Sequence, residues 1–99
     1  MVNFETKTIE VEILPYEQKT GVVSWHDQDE RILVTAGKDA VVIKANKQGL
    51  RALARELLTL AQDEVPSGCE VYLMSKGHAP TLCEESSALQ MIRVDVKLP

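Results

Sequence analysis

His26, Asp27, Asp29 and Glu30 form the most acidic short run of the chain and bring together side chains that ligate zinc or a hard cation. Their spacing matches no cation loop, because no glycine sits at the bend and no glutamate follows at the required distance. The run therefore reads as a solvated acidic turn, with no metal and no cofactor expected. Cys69, Cys83 and His78 are a second candidate ligand set. Structural zinc is held by closely spaced pairs, and no CxxC is present. If the segments around Cys69 and Cys83 turned back on each other near Lys76, the two cysteines would lie opposite. Pro80 disfavours a regular second strand there, so free, half-buried thiols are the expectation.

The serines at 24, 67, 75, 86 and 87 lie in no GxSxG elbow, and both histidines fall in turn-like segments. No catalytic residue is assigned, and the chain is read as a non-enzyme. Lys47, Arg51 and Arg55 recur at i, i+4, i+8. A net charge of −4 and only four aromatics argue against phosphate-backbone binding, so no nucleic-acid partner is expected. The paired acids Asp63-Glu64 and Glu84-Glu85 are the candidate partner-binding residues. Acidic pairs of this kind speed and select the encounter with a basic protein.

These groups must be positioned by one long helix. In Asn46–Gln62, Leu50, Leu53, Ala54, Leu57, Leu60 and Ala61 fall on one stripe at 100° per residue, with Gln48, Arg51, Arg55, Thr59 and Gln62 opposite. Asn46 is placed to cap the first turn, Gly49 is a weak point within it, and Pro66 forbids continuation. Ahead of the helix, Lys7–Leu14 alternates apolar and polar residues as a half-buried strand does, Val22–Trp25 is a short apolar piece, and Arg31–Ala36 and Ala40–Ala45 form a hairpin about Gly37. Behind it, Cys69–Met74 and Leu89–Val96 read as strands, and Thr81–Glu85 as a strand or an irregular stretch. The expected fold is a single α+β domain over residues 1–99. It has a mostly antiparallel sheet of five to six strands with the helix, about 46–62, on one face, in the order β-β-β-(β)-α-β-β. No apolar run approaches the length of a membrane span, and the N-terminal residues lack the features of a secretory signal. A cytoplasmic protein without a membrane partner is expected.

Two segments carry a family resemblance. Asn46–Ala61, NKQGLRALARELLTLA, resembles the helix motif of the immunity protein 32 family of bacterial polymorphic-toxin systems, in which asparagine and a glycine-leucine pair open an L-x-x-L-A-x-x-L-L-x-L-A helix. Leu82–Val94 is similar to that family's acidic stretch and closing apolar strand, with Ser86 where glycine is usual. The resemblance implies a non-enzymatic inhibitor that binds a cognate protein toxin in the cytoplasm. The residues alone also leave open a generic interaction module, for instance a homodimer through an open sheet face.

Overall fold

A computed structural model describes residues 4–75 and 82–98. Its element order is β1 (Ile32–Ala36), β2 (Val41–Ala45), α1 (Lys47–Leu60), β3 (Glu70–Leu73) and β4 (Leu89–Ile92). The strands form two separate antiparallel hairpins, β1-β2 and β3-β4, instead of the expected sheet of five to six. Lys7–Leu14 and Val22–Trp25 enter no sheet, and Leu89–Val96 is strand only to Ile92. Beyond Ile92 the ladder makes one further exchange, Arg93 N–H to Cys69 O and Gly68 N–H to Arg93 O, both 2.8 Å. It then stops at Gly68, whose φ of 97° turns the chain away. The helix spans 14 residues and not 17. Thr81 and His78 lie outside the described residues.

What joins the hairpins is an irregular segment, residues 82–87. It occupies the edge of β1 that β2 leaves open: Cys83 N–H donates to Ile32 O and Ser87 N–H to Val34 O, each 2.8 Å, and Val34 N–H donates to Ser86 Oγ at 2.7 Å. Leu82 N–H reaches Met74 O at 3.2 Å, which ties the same segment to the end of β3. Ser86 is buried, and its Oγ gives β1 a side-chain hydrogen bond. Ile32 and Val34 point inward from β1 by the strand's period of two and meet Ala52, Leu53, Leu73 and Leu82 in the core.

The helix begins as its sequence dictates. Asn46 Oδ1 accepts from Gly49 N–H at 2.7 Å, and the same oxygen accepts from Arg31 N–H at 3.0 Å. Its Nδ2 donates to Asp29 O at 2.8 Å. One side chain thus caps α1 and fastens it to the loop before β1. Asn46→Ala should cost about 1–2 kcal/mol, the upper part of the range for cap removal, read as a lowered urea midpoint at unchanged slope. At the other end Arg93 Nη1 donates to Leu60 O (2.7 Å) and Gln62 O (2.8 Å), placing a cation on carbonyls that the helix cannot satisfy itself.

The buried face of α1 is not the leucine stripe. Gly49, Ala52, Leu53, Arg55, Glu56, Thr59 and Leu60 are buried, whereas Leu50 and Leu57 are 55% and 54% exposed. The helix is turned by about a quarter of a revolution from the orientation its leucines specify, at 100° per residue. Two features cause this. Gly49 lies directly against Arg31 O and Ile32, a contact that only a residue without a side chain permits. Arg55 and Glu56, in turn, find charged partners on the loop before β1, so that face can be polar and still be buried.

Candidate partner-binding surface

The loop 25–30 delivers Trp25, His26 and Glu30 to the polar side of α1. His26 Nδ1 lies 2.9 Å from Glu30 Oε1, and Nε2 lies 3.2 Å from Glu56 Oε1. Arg55 Nη1 donates to Trp25 O at 2.9 Å, stands 3.9 Å from Glu30 Oε2, and its guanidinium carbon sits 4.3 Å from the centre of the Trp25 ring. Glu30 folds back on its own loop and also accepts from Asp27 N–H. Glu56 is 2% exposed, and His26 Nε2 is the group that meets its buried carboxylate.

Contact with Glu56 raises the His26 pKa above the ordinary 6.5; burial opposes this, and Glu30 adds to the rise. The charged ring therefore contributes stability that is fully present below about pH 6.5 and is lost as pH rises through the folded-state value. Urea midpoints measured from pH 6 to pH 9 should fall in the native chain and run flatter in His26→Gln. Parallel profiles would contradict this linkage.

This cluster opens on a cavity of about 410 Å³ lined by His26, Asp27, Glu30, Arg31, Cys83 and Glu84, among others. Among the described residues no three histidine, cysteine or acidic side chains are placed to hold a metal ion. Cys69 and Cys83 are free and half-buried.

The four acidic candidates are all exposed, but they do not share one cavity. Glu84 borders the His26 cavity, with Glu85 next to it in sequence. Asp63 and Glu64 border a different hollow, of about 510 Å³, with Val11, Ile13, Leu58 and Ala61. That hollow continues into a groove of about 660 Å³ lined by Ile9, Val11, Lys47, Leu50, Arg51, Ala54 and Leu58. Together they form an apolar surface on the outward side of α1, where Leu50 and Leu58 remain 55% and 47% exposed. Exposed leucines in such continuity are a mark of an interaction surface.

The family model described as Immunity protein 32 matches residues 40–94, more than half of the 99-residue chain. The chain belongs to the immunity protein 32 family. No curated protein and no solved structure gives a match. The matched span runs from the start of β2 through α1 to the end of β4, so it holds both acidic pairs and the outward leucines. It leaves out the loop 25–30 and Lys7–Leu14. Within the matched span, large apolar side chains stay exposed on the outward face of α1 (Leu50, Leu57, Leu58), along β2 (Val41, Val42, Ile43) and at Tyr72, Ile92 and Val94. No described helix is long and apolar enough to cross a membrane.

Two arrangements escaped the sequence reading. Arg55, expected with Lys47 and Arg51 on a solvated outer face, is instead buried beside Glu56, because His26 and Glu30, four apart on the loop, converge on this helix-borne pair. Leu50 and Leu57, expected in the core, face outward, and the contact at Gly49 accounts for the rotation.

Proposed function

We propose that the chain binds a cognate bacterial toxin and neutralises it by occupancy, in the cytoplasm of the cell that makes both and without chemistry of its own. Membership of the immunity protein 32 family carries this reading. The outward apolar side of α1 supports it by supplying a surface of the kind that partners bury. Asp63 and Glu64, on the border of that surface, steer a basic toxin toward it. Glu84 and Glu85 extend the acidic potential on the His26 side.

The toxin domain encoded beside this chain, co-expressed with it, is the direct test. Growth should be rescued, and a one-to-one complex should co-purify. Asp63→Lys with Glu64→Lys should slow association about tenfold at low salt, with the difference closing at high salt as screening sets in. Absence of any complex would end the toxin-binding reading. Unaltered association in the charge-reversed protein would remove the steering role of the acids while leaving occupancy in place.

A further inference from the structure

Residues 9–13 run along the outward side of α1. Ile9 lines the groove beside Leu50 and Ala54, and Ile13 lines the hollow beside Leu58, Ala61 and Gln62. Between these positions the helix advances roughly 13 Å, a distance that four residues span only when extended. Ile9, Val11 and Ile13 line the groove and hollow on α1, while Glu10 and Glu12, together with Val11, border a smaller cavity with Trp25, Arg51 and Arg55. The segment is therefore extended, although it belongs to no strand. It has no neighbour: no backbone–backbone hydrogen bond joins residues 4–15 to any other described residue. Its anchor lies at its end, where Gln62 accepts from Tyr16 N–H at 2.9 Å and donates to Leu14 O at 3.2 Å. Beside it, Leu57 and Leu58 stay exposed, and Ile9 itself is 63% exposed.

We propose that Ile9–Ile13 is a vacant docking strand: it takes up, by main-chain pairing, an extended segment of the toxin in which apolar residues alternate with lysine or arginine. The inference rests on the toxin-binding reading for the identity of the partner. The composition of the incoming strand follows from the two faces it must match. Its helix-side residues cover the exposed part of Leu50 and Leu58 and are apolar. Its outer residues stand beside Glu10 and Glu12, which are exposed and have no cation within ion-pairing distance among the described residues. Of the two cations on the small cavity, Arg55 is engaged with Trp25 and Glu30, and Arg51 makes no ion pair with Glu10 or Glu12.

The same charges argue against a second copy. Antiparallel self-pairing about Val11 sets Glu10 opposite Glu12, and pairing about Glu10 sets that residue against itself. Like charges directly opposite destabilise a pair of strands, and each chain carries −4 overall. Pairing with a basic strand reverses the sign of this term.

Two short peptides serve as probes, one alternating lysine with valine and the other glutamate with valine. The lysine peptide should slow amide exchange at residues 9–13 and alter the fluorescence of Trp25; the glutamate peptide should do neither. Glu10→Pro and Val11→Pro, made separately, remove adjacent N–H groups, one of which faces the incoming strand. Because the fold uses neither N–H, thermal midpoints should be unchanged, yet one of the two variants should weaken lysine-peptide binding at least tenfold. Equal binding of both peptides, unprotected amides, full binding by both proline variants, or a dimer in sedimentation would each overturn the proposal. If the native chain neutralises the toxin and both proline variants do so equally well, the docking strand fails and the toxin-binding reading survives. If the native chain forms no complex with the toxin, that reading fails, and the peptide results decide the strand by themselves.

Discussion

Arg55→Ala should be among the most damaging single changes in this chain, lowering stability by about 3 kcal/mol, the lower end for breaking a buried ion pair. The guanidinium is 10% exposed and makes three contacts with two residues: it donates to Trp25 O, lies over the Trp25 ring and faces Glu30. Truncation leaves Trp25 O without its donor and removes one of the two cations next to a carboxylate that is itself 3% exposed. A fall of this size takes a large part of the total stability of a domain of this length. Arg55→Lys keeps the charge but not the flat guanidinium stacked on the indole, and it should recover only part of the loss. The check is urea unfolding followed through Trp25, which reports directly on the stacked ring. A loss below about 1 kcal/mol would mean that the cluster is solvated and contributes as a surface pair does.

Gly49→Ala should also destabilise strongly, against the direction that helix propensity predicts. Alanine in a helix interior is favoured by about 0.8–1 kcal/mol. Here, however, an added Cβ would stand 2.5 Å from Arg31 O, 2.9 Å from Ile32 Cγ1 and 3.1 Å from Ala45 Cβ. The first of these is a backbone carbonyl that also accepts from Asn46 N–H, so it cannot yield without disturbing the cap. Overpacking of this kind costs about 1–3 kcal/mol, and a net loss near 2 kcal/mol is expected. Gln48→Ala, at the neighbouring exposed position, supplies the contrast: with nothing to clash with, it should be neutral or slightly stabilising. If Gly49→Ala raised the unfolding midpoint, the close approach of α1 to the β1-β2 hairpin would be refuted.

What the sequence revealed of this fold depended on the range of the interaction. The Asn46 cap, the β1-β2 hairpin and the presence of α1 depend on residues only a few positions apart, and each is found where local pattern puts it. The rotation of α1 depends on residues far apart in the chain: Gly49 against Arg31 and Ile32, and Arg55 and Glu56 against a loop about thirty residues earlier. Leucine periodicity carries no record of those contacts, so it assigned Leu50 and Leu57 to the interior. Lys7–Leu14 shows the complementary limit. Its alternation reads as a half-buried strand, yet no strand forms there and Ile9 is 63% exposed, because alternation says nothing about whether a neighbouring strand exists. The acidic pairs were visible as charges from the outset; that they border two separate cavities depends on how residues 9–13 and 25–30 lie.

The short run from Leu82 to Ser87 also bears on how the protein comes into being on the ribosome. β1 exchanges hydrogen bonds on one side with residues about ten positions ahead and on the other with residues about fifty ahead. A nascent chain that has exposed only β1, β2 and α1 therefore carries Ile32 and Val34 in a strand with one flank bare. Such a flank is an invitation to wrong partners. Synthesis must pass Ser87 before that flank can close, so α1 is made well before the interior it rests on is complete.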